Sequence, residues 1–227
     1  MKGLSIFKRI WNSLLVKLSA PKTYSNLTDY WRDRARRYGK RSVLNMAHGE
    51  DAFETVTAHQ KQLLFPLLKS QLSGSESVLL DFGCGPGRFT SGLADLIGGL
   101  AIGVDVTKEL LELAPKSSSV SYQCIEAGSL PFPDSSFDVV WSCLVLGGIP
   151  NEEIKKSIAE IERVLRPSGL FFYIENTANT ADATYWFYRD ESYYIDLAGF
   201  CNPIKIGDYE DVGQKITIFS GKKSSFS

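Results

Sequence analysis

Histidine is nearly missing from these 227 residues: His48 and His59 are the only two. The four cysteines, Cys84, Cys124, Cys143 and Cys201, stand singly, with no CxxC pair among them. That spacing excludes a zinc ribbon and a disulfide framework, and it fits buried thiols in a reducing compartment. No apolar run approaches the roughly 18 residues that a membrane span requires. No Gly-Lys-Ser/Thr follows a glycine loop, so a phosphate-binding Walker loop is excluded as well. There is no internal repeat, and no low-complexity block beyond a short Ser/Lys-rich tail. Acidic residues are absent from the first 20 positions.

What is present suits a soluble domain: 44% hydrophobic, 22% charged and 12% aromatic residues. The length allows one full core plus a small appendage. Charge is unevenly spread. Residues 1–41 carry 11 Lys or Arg against two acids, a net of +9, and the remainder carries 14 against 24, a net of −10. A basic arm on an acidic body points to an anionic partner. Within that arm, Leu4, Phe7, Trp11, Leu14 and Leu18 recur every three or four residues, the spacing of one helical face, and Pro21 ends the segment. Such a helix suits packing on the domain or on a second subunit. It equally suits a membrane surface through residues 4–18, or an organellar transit peptide. A second helix, "NLTDYWRDRARRYGKR", carries a run of arginines whose ordinary role is a solvated face. A long helical pattern then runs from Glu50 to about Leu72, interrupted by Pro66, and includes Thr57 and His59.

Beyond residue 75 the pattern changes. Short apolar or β-branched runs, "SVLLDF", "AIGVDV", "VSYQCI", "FDVVWSCL" and "GLFFYIE", alternate with helical stretches such as "NEEIKKSIAEIERVL". Alternation at this spacing predicts a parallel sheet covered on both faces, an α/β fold. The last two runs, "NPIKIGD" and "QKITIFSGK", are joined by so few residues that a hairpin, and hence an antiparallel edge, is expected. The chain divides into a helical extension (1–48), a sheet domain (49–222) and a tail (223–227).

"SVLLDFGCGPGRFT" places glycines at 83, 85 and 87 directly after the first strand. Ligands of open parallel sheets bind at the carboxyl ends of strands, and glycine there permits close approach and positive φ. A dinucleotide fingerprint would need its last glycine at position 88, where Arg88 stands. The pattern acid-x-Gly-x-Gly-x-Gly instead resembles the first motif of class I S-adenosylmethionine (SAM)-dependent methyltransferases. "AIGVDVTKELLELA" resembles their second strand, "CIEAGSLPFPDSSFDVVWS" the adenine-side loop and fourth strand of the small-molecule and quinone-type branch, and "RVLRPSGLFFYIE" the turn into the fifth. The resemblance implies a seven-stranded Rossmann-like sheet, mostly parallel with an antiparallel last strand. It further implies SAM as cofactor, S-adenosylhomocysteine as product, and a small-molecule or lipid-like acceptor. Cofactor contacts carry over to Asp81, Gly83, Cys84, Gly85, Gly87, Asp105, Val106, Glu126, Ala127, Gly128 and Ser142. Asp105 would take the ribose hydroxyls in a charge-assisted pair, and it could also cap the helix that begins at Thr107. Phe82 and Val106 would be apolar neighbours of the loop and the adenosine. Asp138 is expected to be structural, and Arg88 to reach an acid across the surface.

A hydroxyl or ammonium acceptor needs a proton acceptor. Relatives often carry a His-His pair after the fourth strand, but this chain reads "LVLGGIP" there, so Gly147 and Gly148 open space over the donor. His59 is therefore the catalytic candidate. Tyr185, Trp186, Tyr188, Tyr193 and Tyr194 would either line an acceptor pocket or fill the core around the last helix. Two other classes stay open: a catalytically silent binding module, and a nucleic-acid methyltransferase using the basic arm. The second is disfavoured because no Asn/Asp-Pro-Pro-Tyr/Phe follows the fourth strand. The expected location is the cytoplasm, with membrane periphery as the alternative.

Overall fold

A computed structural model describes residues 24, 26–178, 180 and 185–225. The amphipathic segment at residues 4–18 lies outside the described residues. Helix α1 (Leu27–Tyr38) starts at Asn26, whose side chain accepts from the Asp29 amide, and leads into a 3-10 turn over Gly39–Val43. Helix α2 (Phe53–Gln71) precedes the sheet and is continuous through Pro66, contrary to the expected interruption. Pro66 is exposed, so the carbonyl that loses its amide partner can be met by water, while Leu64 and Leu68 hold the helix to the core.

Seven strands follow: β1 (Val78–Phe82), β2 (Leu100–Asp105), β3 (Val120–Cys124), β4 (Phe137–Cys143), β5 (Leu165–Asn176), β6 (Ile204–Asp211) and β7 (Gln214–Lys222). Helices α3 (Thr90–Ile97), α4 (Lys108–Leu111), α5 (Asn151–Val164) and α6 (Glu191–Leu197) lie between them. The sheet order is β3-β2-β1-β4-β5-β7-β6. The first five strands pair in parallel, and β7 runs antiparallel to both β5 and β6. The predicted hairpin is present, but its second strand inserts inside the first and leaves β6 at the edge. Strand order reverses between β1 and β4, which makes their carboxyl ends the switch point at which ligands bind.

Alternation along the strands builds two cores. Leu80, Val140, Phe171 and Tyr173 pack against Ile154, Ile158 and Ile161 of α5 and Tyr194 of α6. Leu79, Val139, Trp141 and Phe172 pack against Leu64 and Leu68 of α2 and Leu93 of α3, with Trp141 stacked on Phe172 at 5.2 Å. Asp138 is structural, as expected. It accepts from the Ser77 and Val78 amides and from Arg166, and these contacts hold its carboxyl below the usual range despite partial burial.

Candidate functional site

A cavity of about 400 Å³ opens at the switch point, within the size range of small-molecule sites. One half of it is built from backbone. After β1 the chain turns sharply, and the Gly83 and Cys84 amides both donate to Val104 O at 2.9 Å, tying the loop to β2. Gly83, Gly85 and Gly87 all have positive φ. A Cβ on Gly83 would stand 2.5 Å from the methyls of Val145, and one on Gly87 would stand 2.5 Å from the Tyr122 hydroxyl. The loop therefore needs glycine for its conformation and for its packing.

Asp105 ends β2 in the cavity wall. Its Oδ2 accepts from the Gly85 amide at 2.9 Å and its Oδ1 from the Thr107 amide at 2.8 Å. Burial raises its pKa, and the two amides oppose that rise. Phe82, Gly83, Cys84 and Val106 share this wall, and Ala127 and Gly128 close it from the β3–β4 connection. Other expected cofactor residues stand elsewhere. Gly85 and Gly87 are buried behind the surface of the loop. Asp81 also lies behind it and accepts from Thr90 Oγ1 at 2.7 Å, which pins α3; burial pushes its pKa up to about 7. Ser142 is fully buried within β4, away from the cavity wall. Glu126 points to solvent and does not line the wall, because the turn presents Ala127 and Gly128 instead.

The other half is assembled from side chains distant in sequence. Arg34 of α1 donates to Ser42 O at 2.6 Å and Leu44 O at 3.0 Å, folding residues 42–46 against the cavity. The loop after β4 is held from two sides. Glu175, fully buried at the end of β5, accepts from the Val145, Leu146 and Gly147 amides at 3.0, 2.8 and 3.1 Å. Arg189 donates to Leu146 O at 2.9 Å and Ile149 O at 2.7 Å, and its guanidinium lies against the Phe187 and Tyr193 rings. Burial pushes the Glu175 carboxyl up to about 7, with the three amides and Arg189 opposing.

Gly147 leaves no open space, while Gly148 borders the cavity. A Cβ on Gly147 would stand 2.7 Å from Trp186, and one on Gly148 would stand 3.4 Å from Trp31, so the glycines seat two indoles. Tyr30 stacks on Tyr185 at 4.2 Å beside them. The aromatic segment thus splits its duties: Tyr185, Trp186 and Tyr188 line the cavity, whereas Tyr194 is core and Tyr193 packs against it.

Arg88 does not reach an acid across the surface. It is buried in the cavity wall, donates to Gln60 Oε1 and lies over the Phe89 ring. No carboxylate pairs with it within 4 Å among the described residues. His59 is corrected too: it sits on the exposed face of α2, off the cavity, one residue from the inward-facing Gln60. The other histidine, His48, bonds Asp211, which does line the cavity. Among the residues that sequence reasoning does not single out are Glu175 and Arg189, which clamp the loop after β4. An acid closing the apolar run "GLFFYIE" was the one signal of the first, and the second left none.

A family model described as "Methyltransferase domain" matches residues 80–173. The chain is 30% identical over 118 residues to an uncharacterised methyltransferase, YcgJ, of Bacillus subtilis, covering 49% of this chain and 46% of that one. It is 34% identical over 109 residues to a demethylmenaquinone methyltransferase of Symbiobacterium thermophilum, covering 43% and 41%. The chain thus spans less than half the length of these curated relatives. The magnesium protoporphyrin IX methyltransferase of Synechocystis, solved with bound S-adenosylhomocysteine, superposes with a TM-score of 0.67 at 17% identity, covering 87% of this chain and 98% of that one. At that identity the likeness is one of fold.

Proposed function

We propose that the chain is a class I SAM-dependent methyltransferase of the type 11-like branch, a reading that the match of residues 80–173 to a methyltransferase domain supports, and that it moves the methyl group of SAM to a small-molecule or lipid-like acceptor. The observation that carries this is Asp105: a carboxylate fixed by two backbone amides in the wall of the cavity at the switch point. Each oxygen keeps a lone pair for a ribose hydroxyl, so the pair is held ready before the ligand arrives. Ala127 and Gly128 would meet the adenine edge through backbone. Arg88, a cation inside the same wall with no carboxylate partner, suits the α-carboxylate of the donor.

The sulfonium supplies an already activated methyl group, so the chain's task is to orient the acceptor and exclude water. Trp31, Trp186, Tyr30 and Tyr185 cover the cavity and suit both roles. The basic arm gives less support to a nucleic-acid substrate. Arg32 and Arg36 pair with Glu109, and Arg37 pairs with Asp33. Among the described residues no helix is long and apolar enough to cross a membrane.

The test is a calorimetric titration of S-adenosylhomocysteine, followed by transfer from methyl-labelled SAM into a fractionated cell extract. Asp105→Ala should bind S-adenosylhomocysteine about 10- to 100-fold more weakly, as loss of a charge-assisted pair requires. It should leave the extract unlabelled where the intact protein labels a small-molecule or lipid fraction. Equal affinity in both proteins would remove the ribose role, and no binding to either would remove the function.

A further inference from the structure

We propose that Asp211 recognises the methyl acceptor, and that the acceptor therefore presents its nucleophile as a hydroxyl or an amine. This rests on the cavity's being a methyl-transfer site. Asp211 closes β6 at the same rim of the sheet as the ends of β1, β4 and β5, and it lines the cavity. His48 Nε2 donates to its Oδ1 at 2.8 Å, and both side chains are under a fifth exposed, at 18% and 17%. Its Oδ2 takes no hydrogen bond among the described residues. A largely buried carboxylate with one oxygen fixed and the other without a donor is an incomplete site.

The neighbouring polar groups do not complete it. The side chain of Gln214, just past the hairpin turn, is turned to other partners and bonds no carboxylate oxygen of Asp211: its Oε1 accepts from Asn176 at 2.8 Å and Asn45 at 3.3 Å, and its Nε2 donates to the Tyr188 hydroxyl at 3.0 Å. That network stiffens the wall on which Asp211 stands. Of the other carboxylates lining the cavity, Asp105 has both oxygens bonded to amides of the glycine loop and of Thr107, and Glu153 stands on α5, whose Lys156 packs against Gly128 at the proposed adenine end.

A reacting carbon does not itself bring a hydrogen-bond donor to Asp211, whereas a reacting O–H or N–H completes it. In the transfer, the donor's S–CH3 bond breaks, an O–CH3 or N–CH3 bond forms and the sulfur leaves as a thioether. The proton released by the nucleophile passes to Asp211 Oδ2. The aromatic cover suits a flat acceptor. His48 acts through Asp211 and is a positioning residue.

The full chain, saturated with S-adenosylhomocysteine, is titrated with 2-naphthol, 2-naphthylamine and 2-methoxynaphthalene, followed by probe fluorescence. The hydroxyl and amine probes should bind about tenfold or more tightly than the methoxy probe, since a site built for a donor rejects the analogue without one. Asp211→Ala should erase that preference while S-adenosylhomocysteine binds as before. His48→Gln, which still offers a donor to Asp211, should keep more of the preference than His48→Phe. Equal affinities for the intact protein, no binding of any probe, or a preference surviving in Asp211→Ala would overturn the proposal. Loss of S-adenosylhomocysteine binding by the intact protein would instead overturn the methyl-transfer function beneath it.

Discussion

The two halves of the cavity are made in different ways. The half that we assign to the donor comes from short motifs at the ends of neighbouring strands, and backbone does the work: three left-handed glycines, two amides donating to Val104 O, two more donating to Asp105. The half that we assign to the acceptor gathers α1, the loop after β4, the segment before α6 and the β6–β7 turn, and side chains hold it together. Backbone geometry tolerates few sequences, so the first half is recognisable by motif. Side-chain clamps admit many solutions, so the second half can differ between relatives while the fold stays the same.

If side-chain clamps set the acceptor half, removing one should cost most. Glu175→Ala leaves the Val145, Leu146 and Gly147 amides buried without an acceptor and Arg189 without its nearby carboxylate. Unfolding in urea should show a loss on the order of 3–5 kcal/mol. Glu175→Gln, which keeps an acceptor oxygen, should lose less. Equal losses for the two would show that the amides are not what Glu175 serves. Gly147→Ala should come next, at about 1–3 kcal/mol, because its Cβ meets the Trp186 indole at 2.7 Å. S-adenosylhomocysteine should bind this variant as it binds the original, while methyl transfer into extract falls. A donor affinity that fell in step would show the halves to be coupled.

The same division explains what could be read from residues alone. The glycine loop, Asp105, and the Ala127–Gly128 edge lie within short motifs whose chemistry and spacing are fixed together; Gly83, Asp105, Ala127 and Gly128 line the cavity, and Gly85 and Gly87 stand behind it. Glu126 stands exposed off the wall that its neighbours Ala127 and Gly128 line, a division that no spacing in the sequence reveals. The residues "LGG" alone suggest open space at Gly147 and Gly148, but the indoles that pack there come from Trp31 and Trp186, far away in the chain. Between the two histidines, the choice turned on helical phase for His59 and on the β6–β7 hairpin for His48. The hairpin itself was legible; the insertion of β7 beside β5, which brings Asp211 to the rim, was not.

The donor half also carries a pH signature. Asp81 is pushed up to about 7 in the folded chain against an ordinary value of 3.8, so the folded state holds a proton that the unfolded state has released. Its contribution to stability is complete below pH 4 and is lost as pH rises through about 7. Glu175 acts in the same direction over nearly the same window. Thermal unfolding should therefore show greater stability near pH 5.5 than at pH 8. Asp81→Asn, whose amide oxygen can still accept from Thr90, should flatten the slope by up to about one proton. An unchanged slope would place the titration elsewhere.

The smallest effect belongs to the residue that the sequence favoured. His59 stands on the exposed face of α2, while Thr57, Gln60, Leu64 and Leu68 take the buried one. Substituting a surface side chain with no buried contact costs about 0.5 kcal/mol or less. His59→Ala should accordingly leave urea stability, S-adenosylhomocysteine affinity and label transfer into extract at the original values. Gln60→Ala, one position along, removes the acceptor of Arg88 and a donor to the Tyr209 hydroxyl. It should weaken S-adenosylhomocysteine binding if Arg88 holds the donor carboxylate. A one-residue step on one helix thus separates a bystander from a support of the site. If His59→Ala alone abolished transfer, α2 would have to turn by about 100° to bring it to the cavity, and the acceptor half described here would be wrong.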